Sequence, residues 1–168
     1  LSAGMAASGQ EGVAPQLFVL KLHAMLLLVL VDCACNGFAD HLWDPSYKKI
    51  NLALCIVPIV VHLLMTLLFF MLLWHTFLLR YGLLLELWLE FRGVFLVSTL
   101  RFGVLLAARV PRLMAALDGS SPGEYWDSPM QHTMYFVHNI VTVCYDAWLL
   151  RRSYTLARVR FYKSQLWQ

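Results

Sequence analysis

Three charged side chains fall inside stretches that are otherwise apolar: Asp32, Arg101 and Asp146. A charge within a hydrocarbon span costs roughly 2.5–3.5 kcal/mol on insertion scales, so each needs a partner or a water-lined site. Two chemistries use such residues. One is an ion pair that fastens helices together, and the other is a proton or ion relay. A relay needs charges at several depths, and here they are few, so an ion pair is expected. Depth selects the partners. Counted along a helix, Arg101 lies about 12 Å from the face where the C-terminal segment emerges, Asp146 about 6 Å and Asp32 about 22 Å. A long arginine side chain snorkelling toward that face meets Asp146 before Asp32. The expected structural pair is therefore Arg101–Asp146, tying the third and fourth spans, and on that reading Asp146→Asn destabilises the fold. Asp32 and Asn36 remain as intramembrane polar groups.

The histidines raise a redox chemistry. His62 and His138 fall in one half of their spans, and His23 and His75 in the other. Two such pairs are what a four-helix bundle needs to ligate two haems. The spacing opposes it: His62 and His75 are separated by about 220° around a helix, so they do not share a face. Interfacial or hydrogen-bonded histidines are expected instead. Cys33, Cys35, Cys55 and Cys144 form no C-x-x-C pair and read as buried structural thiols. No G-x-S-x-G, H-E-x-x-H, P-loop or acidic metal cluster occurs. The expectation is a protein that is not an enzyme, with no cofactor, no metal and no small-molecule substrate.

These residues are carried by an apolar chain. Of 168 residues, 60% are hydrophobic and 14% charged, against about 25% charged in a soluble domain. Ile50 to Leu79 contains no charged side chain at all. It is longer than the ~20 residues a bilayer requires. The fold class is all-α: an integral membrane four-helix bundle with spans at about 17–38, 52–77, 94–113 and 130–150. Residues 1–16 read as a flexible N-terminal segment, and 151–168 as a basic cytoplasmic tail. Pro58 should kink the second span. Between spans two and three, Leu83 to Arg92 sets Glu86 and Glu90 on one helical face, with Leu, Trp and Phe around the rest. That is the pattern of a short interfacial helix. An extension of the next span fits the same pattern. Gly93 and Gly103 allow close helix approach, and Arg109, Pro111 and Arg112 end the third span. The chain begins at Leu1, so a native N-terminal stretch is expected to be missing. Leu17 to Val31 resembles a signal-peptide core, but its length favours a span.

Arg151, Arg152, Arg158, Arg160 and Lys163 hold much of the net charge of +3. Under the positive-inside rule they place the C-terminus, and with four spans the N-terminus, in the cytoplasm. Lys48, Lys49, Arg109 and Arg112 on the other side weigh against this. The five cations, interleaved with aromatic residues, suit docking on anionic lipid or on a protein. They do not suggest a nucleic-acid footprint.

Several short motifs carry a family likeness. Thr76-Phe77, Gly82-Leu83 and Phe91-Arg92-Gly93 follow one another without a gap. With Asp32, Asn36 and Phe38 in the first span, and Phe161-Tyr162 followed by Leu166-Trp167 in the tail, the sequence resembles the transmembrane protein 138 family. The resemblance implies a small four-span protein of ciliated cells, found on vesicles and at the ciliary base and needed for building cilia. It implies no enzymatic activity. Where the family pattern has neutral residues, this chain has Arg101 and Asp146. The functional expectation is assembly or trafficking of membrane proteins, with lipids and other membrane proteins as partners, in a ciliary or vesicular membrane. The rival reading is an accessory subunit, haem- or quinone-linked, of a larger complex in an organellar membrane such as the mitochondrial inner membrane.

Overall fold

A computed structural model describes residues 14–38, 46–74, 76, 81–119 and 126–156. The described residues form four helices: α1 (Ala14–Phe38), α2 (Lys48–Leu73), α3 (Leu84–Asp118) and α4 (Pro129–Thr155). In hydrocarbon every backbone N–H and C=O must be satisfied within its own segment, which long apolar runs achieve only as helices. Local chemistry sets the ends. Tyr47 offers its carbonyl to the amides of Ile50 and Asn51 at the start of α2. Thr76 closes the other end, donating both its amide and its hydroxyl to the Leu73 carbonyl. Gly119, at φ 81°, terminates α3 and returns its N–H to Ala115. This is the left-handed position that glycine fills without strain. α4 opens with Pro129 in its first turn, where the missing N–H costs nothing.

Among the described residues, α1, α2 and α3 are long and apolar enough to cross a membrane. α4 falls short on composition, since it carries His132, His138, Asn139, Asp146, Arg151 and Arg152. The helices form an antiparallel bundle in which α2 joins α1 to α3 and α3 packs extensively on α4. A thinner seam between α1 and α4 closes the ring. The interior is divided along its axis. Toward the end where α2 finishes and α3 begins, it is apolar: Met25, Met65, Phe69, Leu73, Phe91 and Leu149 are all buried. Phe69 meets the edges of Phe91 and Phe95 at centroid distances of 6.0 and 6.5 Å. From the centre toward the opposite end it is polar.

Three expectations need correction. Leu84 to Arg92 is not a separate interfacial helix but the first turns of α3. The Leu, Trp and Phe side chains of this stretch face both the core, as Leu87 and Phe91 do, and the outside, as Trp88 and Leu89 do, so it needs no membrane surface to lie on. Nor does Pro111 end the third helix, which runs on to Asp118. Arg109 and Arg112, expected at its end, are buried. Gly103 faces open space, whereas a Cβ on Gly93 would lie 2.9 Å from the Trp148 ring. Gly93 alone of the two marks a close approach, that of α3 to α4. Gly93→Leu is therefore expected to lower stability by about 1–3 kcal/mol through overpacking. Gly103→Ala should be neutral or slightly stabilising, alanine being the better helix former by about 1 kcal/mol. Thermal melts of the purified variants in detergent measure both, and equal midpoints would refute the close approach.

The expected tail starts later than residue 151. Arg151 and Arg152 belong to the last turns of α4, and Arg152 lies 3.9 Å from Glu90 across the α3–α4 surface. That half-buried, solvent-reached pair at the limit of ion-pair distance contributes at most ~1 kcal/mol. Arg158, Arg160 and Lys163, residues 1–13 and His75 lie outside the described residues.

Candidate functional site

The polar half of the interior is built from residues three or four apart on each helix, which brings them onto one face. Asp32 and Asn36 come from α1, and His62 and Thr66 from α2. α3 contributes a stripe of Ser98, Arg101, Arg109 and Arg112, all buried. α4 contributes His138, Thr142, Tyr145 and Asp146, also buried.

Arg101 is the hub. It sits at the centre of α3 and is wholly buried. One terminal nitrogen, Nη2, forms a salt bridge with Asp32 Oδ2, and the Asp32 side chain is equally buried. The other, Nη1, donates to His62 Nδ1 at 2.6 Å. The guanidinium carbon lies 4.9 Å from the centre of the Tyr145 ring, within the range of a cation–π contact. One side chain thus binds α3 to each of the other three helices.

The network fixes its own proton positions. A guanidinium only donates, so Nδ1 of His62 must accept, and the ring is the neutral tautomer protonated at Nε2. That N–H then points to Ser98 Oγ at 3.4 Å. Thr66 gives its one hydroxyl proton to the His62 carbonyl at 3.0 Å, so in the 3.2 Å contact between Thr66 and Ser98 the serine donates. Tyr145 directs its hydroxyl toward Thr66 and Ser98 without closing a hydrogen bond.

Asn36 extends the network one turn further along the bundle. Its Nδ2 donates to Asp32 Oδ2 at 3.3 Å. Its Oδ1 accepts from Arg109 Nη2 at 2.6 Å and from His138 Nε2 at 3.2 Å. Two donors on the oxygen and an acceptor before the nitrogen assign the amide orientation. Beyond it, Asn36, Arg109, Arg112, Trp126, Tyr135 and His138 help to line a cavity of about 20 Å3, enough for roughly one water.

The structure pairs Arg101 with Asp32, not with Asp146. The depth estimate failed because α3 begins ten residues before the expected span. Arg101 is then central and has no face to snorkel toward, and α1 brings Asp32 to the same level. Asp146 instead faces the Asp32 carboxyl, with Arg101 close by, and its Oδ2 lies 4.0 Å from Cys33 Sγ. The thiols are less buried than expected, since Cys33 and Cys144 are exposed. Among the described residues, the histidines of the two-haem reading are engaged elsewhere, and His75 lies outside them. Both nitrogens of His62 are engaged, His138 directs Nε2 to Asn36, and His23 turns outward to bond its own Val19 carbonyl at 2.8 Å. No group of three or more metal-ligating side chains comes together among the described residues.

Sequence reasoning singled out Asp32, Asn36, Arg101 and Asp146, and all four lie within this one network. It missed the roles of Thr66, Ser98, Arg109 and Tyr145. The available signal was the spacing of Ser98, Arg101, Arg109 and Arg112, at three, eight and three residues, which keeps all four on one helical face. The sequence profile of the family described as transmembrane protein 138 matches residues 51–168. The chain belongs to that family. The match takes in nearly all of α2 and the whole of α3 and α4, hence three of the four walls around Arg101. Asp32 and Asn36, which α1 supplies, precede the matched segment. No curated protein and no solved structure was found to match the chain. Transmembrane protein 138 membership and the apolar helices make this an integral, multi-pass membrane protein.

Proposed function

We propose that this transmembrane protein 138 family member is a four-span, non-enzymatic protein that serves the assembly or trafficking of membrane proteins, on vesicles or at the ciliary base of ciliated cells. The observation that carries the proposal is how α4 distributes its residues. Its polar groups His138, Thr142, Tyr145 and Asp146 all point inward. Its outward face is Phe136, Ile140 and Val143, each more than 60% exposed, at the spacing of one helical face. Average composition hides this, because these mid-helix polar groups are turned away from lipid, while the exposed polar residues His132, Thr133 and Arg151 lie near the two ends of α4. All four helices then present aliphatic and aromatic surface outward, as Leu27, Leu67 and Leu96 do on α1, α2 and α3. Helices that have consumed their polar groups internally recognise other spans by packing. The family membership supports the ciliary setting, and the basic residues from Arg151 onward supply a cytoplasmic contact for lipid or protein.

Recovery of the tagged protein in mild detergent, with mass spectrometry of what accompanies it, tests the reading. Ciliary-base or vesicle-trafficking proteins are the expected companions. Respiratory subunits in their place would overturn it and favour an organellar membrane.

A further inference from the structure

The Asp146 carboxyl is turned to that of Asp32, and each acid keeps one buried oxygen, Oδ1, with no donor. Two carboxylates have no proton to share, so this arrangement leaves both oxygens unsatisfied in a site where such groups are costly. Within ion-pair distance the charges do not balance either. Arg101 is committed to Asp32 and, among the described residues, is the only cation within ion-pair distance of either acid. His62, held as an acceptor by Arg101, adds no charge. An ionised Asp146 would therefore stand beside another carboxylate with no cation at ion-pair distance; the other buried cations of α3, Arg109 and Arg112, lie about two and three turns further along the helix, Arg109 on the Asn36 oxygen. An isolated buried charge of this kind is normally removed by taking up a proton.

We propose that Asp146 is a neutral carboxylic acid whose proton is shared with Asp32, so that the two acids and Arg101 form a charge-balanced triad. The site's ligand is the proton itself. It satisfies both orphan oxygens at once and links α4 to α1 across the thinner seam of the ring. The groups around it are Asp32 and Cys33 from α1, Arg101 from α3 and Tyr145 on α4 itself, with His62 of α2 against the Tyr145 ring at 5.3 Å. Loss of the proton would return the negative charge to the seam and loosen it.

Infrared spectroscopy of the full chain in nanodiscs, with the aspartate side-chain carboxyls 13C-labelled, tests this directly. A protonated-carboxyl C=O band that moves with the label and with D2O is expected at neutral pH, and Asp146→Asn should abolish it. Its absence from the wild-type protein at neutral pH would overturn the proposal. Asp146→Asn keeps a neutral donor in place and is expected to melt within about 2 °C of wild type, a shift below ~1 kcal/mol for a chain of this size. Asp32→Asn should lose at least three times as much. An Asp146→Asn variant destabilised as strongly as Asp32→Asn contradicts the triad. Where that variant fails to fold, the labelled wild-type spectrum alone decides.

Discussion

Arg101→Met is expected to destabilise the bundle by about 3–5 kcal/mol, the usual cost of stranding one partner of a buried ion pair. In a melt of the detergent-solubilised protein this is a loss on the order of 10 °C. The cause is not lost attraction alone. Asp32 would remain, wholly buried, as a carboxylate with no cation, and His62 would lose the donor that fixes its tautomer. Asp32→Leu should do comparable damage from the other side by leaving the guanidinium uncompensated. The combination Asp32→Leu with Arg101→Met is the informative case. Replacing both members of a buried pair with apolar residues is often neutral or even stabilising, so the double variant should recover most of the loss. A double variant whose cost is the sum of the two singles would show that the two residues do not act as a pair.

Asn36→Leu carries the second large expectation, a loss of about 3 kcal/mol. Asn36 is a small side chain with three partners, and two of them, Asp32 and Arg109, bear charge. Hydrogen bonds to charged groups contribute about 1.5–3 kcal/mol each, and a buried group left unsatisfied adds its own penalty. The effect should reach α4 as well as α3, because the Asn36 oxygen also holds His138. A double-mutant cycle with Arg109→Met isolates the direct term. Residues sharing a hydrogen bond couple by about 0.5–3 kcal/mol, and a coupling near zero would mean that Arg109 is held in place by something other than Asn36.

Much of this could be read from the residues, for reasons that differ between elements. α1 and α2 announced themselves as apolar runs, because a membrane leaves the backbone few alternatives to the helix. Asp32, Arg101 and Asp146 stood out because charge is rare in such runs. Their pairing was not legible. It depends on where each helix begins, and Leu84 to Arg92 has a composition that suits an interfacial helix and a first helical turn equally well. Pro111 misled in a related way. Proline usually ends a helix, but packed neighbours stabilise it inside one. Thr66 and Ser98 gave no signal, since small hydroxyls are common in spans and nothing local says that a histidine from another helix will meet them. α4 looked the weakest membrane segment because composition averages over faces, and its faces are unlike.

The position of Arg101 on α3 also bears on how the protein is made. The chain emerges from the ribosome in order, so Asp32 enters the membrane well before the residue that neutralises it. While only α1 and α2 are present, the acid sits in apolar surroundings without its cation, at a cost of roughly 2.5–3.5 kcal/mol for a central position. Completion of α3 removes that cost, and α4 then encloses the pair. A chain truncated before Arg101 keeps the exposed acid, whereas a finished one hides it. The buried pair thus distinguishes a complete translation product from an incomplete one, by whether a charge inside the bilayer remains unanswered.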